Sequence, residues 1–142
     1  EKYVPYVVEY SIGCDRLMLA VLCNAYREEK LVDGETRVVL ALSPALAPYK
    51  ACVLPLIKKT HGEVAKNLQK QLSKYFMCDY DESGSIGKRY RREDEIGTPF
   101  AITVDDETLN NNTVTIRDRD TMQQITLNVD EVANYILEKC RY

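Results

Sequence analysis

The sequence predicts an α/β protein built on a mixed five-stranded sheet flanked by helices, with a strand and a helix in front of it. From residue 50 onward, short apolar runs typical of buried strands alternate with amphipathic helical patterns. Two segments of alternating apolar and polar residues, 113–117 and 125–129, then follow with only a polar turn between them. The first pattern favours right-handed crossovers and parallel strands, and the second favours an antiparallel hairpin, so the sheet is mixed.

The first 42 residues predict a strand, a helix and a polar connection. Residues 3–10 (YVPYVVEY) are rich in the aromatic and β-branched residues of strands. Residues 15–29 are long enough for a helix, in which positions 17–23 are all apolar. Because a helix that is apolar on every side must be buried on every side, we infer that its natural packing partners are missing from this chain. A turn at Asp33 and Gly34 follows, and the prolines of residues 43–48 place a boundary between residues 1–42 and 43–142.

The second part reads as βαβαβββα. Strands are predicted over 50–56, 76–80, 99–104, 113–117 and 125–129, and residues 105–112 read as a polar loop. Val64, Leu68 and Leu72 form the stripe of a helix over 60–76. A second helix spans 86–95, with Ser85 as N-cap and Gly97 as its stop, and Asp130 caps a closing helix.

Composition excludes several classes of function. A net charge of -3 and a pI near 5.3 argue against a general affinity for polyanions, so a nucleic-acid contact would be a local basic patch. No apolar run approaches the roughly 20 residues that span a membrane, which predicts a soluble chain. Five cysteines without a CxxC pair predict reduced thiols and no metal site. His61 lies in a polar turn, where we expect it to be exposed.

Residues 79–97 (DYDESGSIGKRYRREDEIG) contain the strongest basic patch. On a helical wheel Ile86 and Tyr90 share the face toward the sheet, and the opposite face carries Lys88, Arg91, Arg92 and Glu95. One interpretation is a surface helix with ion pairs from Arg89 to Glu93 and from Arg91 to Glu95. The other is a phosphate-binding surface above a Gly-Ser turn at a helix N-terminus. The sequence GxxxxGK[ST] is absent, which excludes a mononucleotide P-loop.

Three further groups of polar residues have two interpretations each. Arg117 and Arg119 follow a strand, where exposed guanidinium groups could bind base edges or phosphates, or could pair with the neighbouring aspartates. Residues 105–107 (DDE) suit acid–base or metal chemistry, or a solvated loop. Glu9, Ser11 and Arg16 surround a strand-to-helix turn, which suits a zwitterionic or anionic small molecule, or a capped helix with an internal ion pair.

Four long stretches resemble a known enzyme family. PYVVEYSIGCDRLMLAVL resembles motif 3 of class II aminoacyl-tRNA synthetases. LSPALAPYKACVLPL, DESGSIGKRYRREDEIGTPFAIT and NTVTIRDRDTMQQI are similar to the carboxy-terminal anticodon-binding domain of the glycyl-tRNA synthetases. The resemblance implies that residues 1–42 are the end of a catalytic domain and that residues 43–142 are the anticodon-binding domain.

The resemblance also implies roles for individual residues. Arg16 would hold the phosphates of ATP, and Glu9 and Ser11 would contact glycine, although Tyr10 replaces the proline of the family's EPS segment. The parent enzyme would be a cytoplasmic homodimer that uses ATP with Mg²⁺ to join glycine to its tRNA. Motifs 1 and 2 have no counterpart here, so the fragment should neither aminoacylate alone nor hold a cofactor.

The resemblance implies that the second part grips the anticodon stem-loop of the glycine tRNA. We expect Lys88, Arg91 and Arg92 to contact phosphates and Arg117 and Arg119 to read bases. Two alternatives stay open. One is a synthetase-like accessory subunit that binds a protein partner and DNA. The other is a free-standing small-molecule domain, which the absence of a glycine-rich nucleotide loop after the first regular strand argues against.

Overall fold

The body of the molecule is a five-stranded mixed sheet with helices on both faces. The structure is a computed structural model that describes residues 2–31 and 34–141. Its sheet contains β3 (Ala51–Pro55), β4 (Cys78–Tyr80), β5 (Phe100–Val104), β6 (Thr113–Asp118) and β7 (Gln124–Asn128). The helices of this part are α2 (Lys58–Leu72), α3 (Ile86–Ile96), α4 (Asp106–Asn111) and α5 (Val129–Lys139). In front of it lie α1 (Cys14–Ala25), β1 (Tyr26–Lys30) and β2 (Thr36–Leu40).

The order of strands confirms the predicted mixed sheet. The spatial order is β4-β3-β5-β6-β7, with β3 parallel to both β4 and β5. Strands β5, β6 and β7 pair antiparallel, as expected for two segments joined by a short turn. Helices α2 and α3 make the crossovers between the parallel strands, and they lie on opposite faces of the sheet because the strand order reverses at β3.

The two faces of the sheet are covered unequally. One face packs against α2 and α5 around Val53, Ile102 and Ile116, which form the main core. The other face has a smaller cluster of Cys52, Leu54 and Ala101, against which Ile86 and Tyr90 of α3 pack. Because α3 packs over β3 and β5, the β6–β7 side of this face stays open, and Gln124 and Thr126 are exposed there.

One hairpin and one helix were not predicted. Strands β1 and β2 form an antiparallel hairpin in a segment whose sequence is mostly polar. In β2 the buried residues Arg37 and Val39 alternate with more exposed residues, as expected for a strand with one buried face. Gly34 has the positive φ of 86° that a turn needs, whereas Asp33 lies outside the described residues. The predicted loop 105–112 contains α4, which a capping box between Asp105 and Thr108 begins.

The predicted strand over residues 3–10 is wrong. Residues 2–13 have no regular structure, and their side chains are exposed. A strand is stable only when a neighbouring strand takes its backbone hydrogen bonds, and the described residues offer none here. Helix α1 follows, and it ends at Ala25 instead of continuing to residue 29.

Helix α1 packs on the body through Val21 and Ala25, which contact Leu42 and Ala47. Among its other apolar side chains, Leu17, Met18 and Leu19 are more than half exposed.

The ends of the later helices agree with the prediction in one case and differ in another. Gly97 terminates α3 with φ of 89°, as predicted, and its N–H donates to the Glu93 carbonyl. At α5 the N-cap is Asn128 instead of Asp130. The Asn128 side chain accepts from the Asp130 N–H, so Asp130 lies within the first turn.

Candidate nucleic-acid interface

Helix α3 presents its basic side chains away from the sheet, as the helical wheel predicts. Ser85 occupies the N-cap position, although its side chain makes no capping hydrogen bond. Lys88 and Arg92 are exposed and Arg91 is partly exposed on the outward face. The described residues contain no ion-pair partner within 4.0 Å of Lys88.

Acidic residues outside the helix partly neutralise two of these cations. Arg91 Nη2 lies 3.4 Å from Glu35 Oε2. Arg92 Nε donates to Asp81 Oδ2 at 2.9 Å, and its Nη2 donates to the Ser83 carbonyl at 2.6 Å. Arg92 keeps 45% of its side chain exposed, so a phosphate can still approach it. Both pairs lie at the surface, where the expected contribution to stability is below about 1 kcal/mol.

The ion pairs predicted within α3 do not form among the described residues. Arg89 is buried and donates to the carbonyls of Pro55 and Gly84, which ties the helix to the end of β3 and to the preceding turn. Its expected partner Glu93 is also buried and makes no ion pair. Arg91 pairs with Glu35 instead of Glu95.

The expectation that Arg117 is exposed is wrong. Only 8% of the residue is accessible, and its Nη1 lies 3.0 Å from Asp94 Oδ1. The guanidinium also lies over the Tyr90 ring, with its carbon 4.9 Å from the ring centroid. Arg117 therefore has partners within the fold, and α3 provides two of them.

The expectation that Arg119 is exposed is also wrong. Its guanidinium donates to the carbonyls of Leu42 and Gly97 at 2.7 and 2.8 Å, and 2% of the residue is accessible. The neighbouring Asp120 pairs with it as well, as one of the two interpretations of this segment holds. Arg119 thus joins three separate segments of backbone and is not available to a base in this structure.

A groove opens where the uncovered side of the sheet meets α3. Its floor is polar, because Thr103, Thr115 and Gln124 point to this face from three adjacent strands. Tyr90 also lines the groove, together with the apolar side chains of Leu56 and Ile86, and the Tyr90 hydroxyl is 2.7 Å from Thr103 Oγ1. Asp105 lies at the carboxyl end of β5 and completes one end of the groove.

The groove combines an aromatic ring with hydroxyl and amide groups on a rigid sheet. Unstacked bases bind by stacking on aromatic rings and by hydrogen bonds to their edges, so this lining suits a nucleobase. Lys88 and Arg92 lie on the same helix as Tyr90 and provide positive charge outside the groove. The arrangement can therefore accept a single-stranded loop whose phosphates contact the helix.

Sequence reasoning missed most of the residues that line this groove. Tyr90 was expected only to pack on the sheet, and Thr103, Thr115 and Gln124 were given no role. The sequence feature that points to them is the alternation of threonines with buried apolar residues in β5 and β6. It predicts a polar face, but only the position of α3 shows that this face is left open.

The structure does not bring Glu9, Ser11 and Arg16 into the groove. All three are exposed, and Glu9 and Ser11 lie in the segment without regular structure. Arg16 lies in the first turn of α1, as predicted. The interpretation that these residues form an internal ion pair is not supported, since no such pair occurs within residues 2–31 and 34–141.

Cys52, Asp79 and Glu93 bring their ligand-type atoms within 4.8 Å of one another beneath α3. Burial raises the pKa of the Cys52 thiol, and burial also raises the pKa of the Glu93 carboxyl. Both shifts favour the neutral forms. We therefore interpret this group as a neutral thiol and a buried acid in the packing of α3.

His61 is buried, contrary to expectation. Its Nδ1 accepts the Ile57 N–H at 3.1 Å, so the proton of the neutral ring lies on Nε2, which is 3.0 Å from Asp106 Oδ1. The carboxylates of residues 105–107 have separate roles and do not converge. Asp105 caps α4, Asp106 contacts His61 and Glu107 accepts from Asn111.

Comparison with known proteins identifies the family. Residues 50–139 match the family described as HGTP_anticodon, anticodon binding domain. Over all 142 residues the chain is 58% identical to a glycine–tRNA ligase of Clostridium tetani and 55% identical to one of Geobacillus thermodenitrificans. It spans 30% of the length of each of these relatives. The resemblance drawn from the sequence is thereby confirmed.

A solved structure agrees with the fold. The RNA binding domain of threonyl-tRNA synthetase from Cryptosporidium parvum Iowa II superimposes with a TM-score of 0.64 and 25% identity, over 70% of this chain and 25% of that one. No helix among residues 2–31 and 34–141 has the length and apolar character needed to cross a membrane. Because the family match covers residues 50–139, which contain the five-stranded sheet, α3 and the groove, this chain belongs to the anticodon binding domain family.

Proposed function

We propose that this chain binds the anticodon stem-loop of a glycine tRNA as part of a longer enzyme that joins glycine to that tRNA. The observation that carries the proposal is the similarity of the whole chain to glycine–tRNA ligases, together with the anticodon binding domain match. In the longer enzyme ATP with Mg²⁺ supplies the activation of glycine. The enzyme is proposed to be a cytoplasmic homodimer.

We assign base recognition to the groove and phosphate contacts to α3. Tyr90 offers a ring for stacking, and Thr115 and Gln124 offer groups that donate and accept hydrogen bonds. Lys88, Arg91 and Arg92 contribute charge along the outward face of the helix. The burial of Arg117 and Arg119 favours a supporting role for both, which replaces the base-reading role expected from the sequence.

Residues 1–42 have a separate role in this proposal, as the end of the catalytic domain. Arg16 would contact the phosphates of ATP, and Glu9 and Ser11 would contact glycine, once the rest of that domain surrounds them. Their exposure here supports the proposal, because side chains that complete a site on another part of the protein need no partner within this chain. The chain alone is expected to bind tRNA without charging it.

The experiment that tests tRNA binding removes Lys88, Arg91 and Arg92 together by substitution with alanine. Affinity for the glycine-tRNA anticodon stem-loop is measured by fluorescence anisotropy over a series of salt concentrations. We expect weaker binding and a smaller salt dependence, by up to about 2 in the slope of log K against log salt, since each phosphate contact contributes about 0.7. The matched control replaces Lys70, Lys74 and Lys139, which are exposed on α2, after it, and on α5.

The two variants change the net charge equally, but α2 and α5 lie on the opposite face of the sheet from α3. Equal losses in both would mean that binding depends on overall charge, and unchanged affinity in the α3 variant would remove this helix from the interface. A stem-loop with both central anticodon bases changed should bind more weakly by roughly 1–3 kcal/mol per base. A chain that binds both stem-loops equally would instead favour the accessory-subunit alternative.

A further inference from the structure

A buried network of charges connects the groove to the β1–β2 hairpin. Asp94 on α3 is 1% exposed and accepts hydrogen bonds from two arginines at once. Arg117 on β6 donates to both of its carboxylate oxygens, at 3.0 and 3.3 Å. Arg37 on β2 donates to Oδ2 through Nε at 2.9 Å. One carboxylate therefore serves two cations that belong to different parts of the molecule.

The Arg117 end of the network reaches the groove. Its guanidinium lies over the Tyr90 ring, and the Tyr90 hydroxyl bonds to Thr103 on the groove floor. Arg117 is also directly opposite Gln124 in the pairing of β6 with β7. Tyr90 contacts the Arg117 guanidinium, and Gln124 pairs with Arg117 across the two strands. The position of Arg117 therefore affects the positions of two residues that line the groove.

The Arg37 end of the network fixes the hairpin. Arg37 is 1% exposed, and it contacts Glu29 on β1 at 3.2 Å as well as the Arg119 carbonyl. Asp94 is 57 residues away in the sequence, and Arg119 is 82 residues away. Arg37 bonds the hairpin to Asp94 and to the Arg119 carbonyl, so docking of the hairpin depends on how Asp94 is shared.

We propose that Arg37 and Asp94 are positioning residues for RNA binding in the groove, and that Asp94 couples groove occupancy to docking of the hairpin. A base that stacks on Tyr90 restrains the ring and the Arg117 guanidinium behind it. A restrained Arg117 keeps Asp94 in the position that Arg37 requires. Coupling between two binding events is reciprocal, so firmer docking of the hairpin must raise RNA affinity by the same factor. The inference rests on the proposed function, because it needs RNA in the groove.

The test substitutes Arg37→Met and measures stem-loop affinity of the whole chain by anisotropy. Arg37 is buried and on the hairpin, so it cannot itself contact the RNA. We expect affinity to fall roughly fivefold or more, the lower end of typical coupling factors, with an unchanged salt slope because no phosphate contact is lost. The matched control is Arg27→Met, which removes the same charge from an exposed position on β1 and should leave the affinity unchanged.

A second measurement needs no substitution and covers the case in which the Arg37 variant does not fold. Amide hydrogen exchange of the unmodified chain is compared with and without saturating stem-loop, and we expect slower exchange in β1 and β2 when RNA is bound. Binding without any change in the hairpin, or an Arg37 variant that folds and binds like the original chain, would overturn the coupling. Absence of binding by the unmodified chain would instead overturn the proposed function, so the two failures are distinguishable.

Discussion

At the scale of single residues, burial determines what each ionisable group does. Arg37, Arg119 and His61 are among the largest fully buried side chains. The two arginines donate to oxygen atoms of separate segments, and His61 accepts from the Ile57 N–H and contacts Asp106 Oδ1. A buried polar group is costly only when it has no partner, so these side chains act as connections between backbone segments. Glu93 is different, because its Oε2, like Thr98 Oγ1 and Arg91 Nη1, has no hydrogen-bond partner among the described residues.

The first prediction concerns Glu93. Burial raises the pKa of its carboxyl above the value in the unfolded chain. This carboxyl therefore costs no stability at a pH below its pKa in the unfolded chain. The free energy of unfolding decreases as the pH rises above that value and through the pKa of the carboxyl in the folded chain. Glu93→Gln cannot ionise and avoids that loss. We expect the variant to be more stable than the original chain at pH 7 and nearly equal to it at pH 4.

Urea unfolding at pH 4, 5, 6, 7 and 8 measures this difference. The control is Glu95→Gln, which removes the same charge from an exposed position on the same helix. It should show little change with pH. A stability difference for the Glu93 variant that is constant over the whole range would show that the carboxyl is not held neutral.

At the scale of elements, the end of α3 determines how closely the hairpin approaches the body. Gly97 terminates the helix in the left-handed region, and a Cβ there would lie 2.9 Å from the Leu40 carbonyl oxygen and 3.2 Å from Leu42 Cδ1. Leu40 ends β2, and the Leu42 carbonyl accepts from Arg119. A glycine is therefore needed for two reasons, the backbone angle and the close contact with the segment after the hairpin.

The second prediction separates these two reasons. Gly97→Ala should destabilise the chain by at least about 1 kcal/mol more than Gly84→Ala, because both positions have positive φ but only Gly97 is crowded. Thermal or urea unfolding of the two variants gives the comparison. Gly84 has φ of 76° and open space around it, so it reports the backbone cost alone. Equal losses would mean that the segment after β2 moves away at little cost.

At the scale of the whole molecule, the hairpin belongs with the five-stranded body in its contacts. The boundary proposed from the sequence lies between residues 42 and 43, yet Arg37 and the Leu42 carbonyl are bonded to residues beyond it. Helix α1 packs on the same region through Ala25. Residues 2–12, in contrast, are exposed.

The third prediction compares two truncations. A chain that begins at residue 13 should unfold within about 1 kcal/mol of the full chain, since residues 2–12 are exposed. A chain that begins at residue 43 should lose about 2 kcal/mol or more, because Asp94 and Arg119 each lose a buried partner. Urea unfolding followed by circular dichroism measures both. Equal stability of all three chains would assign the hairpin to a separate unit.

The sequence alone predicts the five strands of the body, their mixed pairing, helices α2, α3 and α5, and the family. Strand and helix periods are local, and neighbouring residues such as Val114 and Ile116, or Val64 and Leu68, carry them directly. The hairpin and α4 escaped prediction because their signals are weaker. Arg37 occupies a buried strand position, and the cap of α4 lies inside a run of acidic residues.

Which charges are available to a ligand depends on the tertiary structure. Lys88 and Arg117 look alike in the sequence, but one is exposed and the other shares Asp94 with Arg37. The groove also exists only because α3 covers part of a sheet face and leaves the rest open. Burial and partners depend on residues far apart along the chain, and local patterns contain no information about such distant contacts.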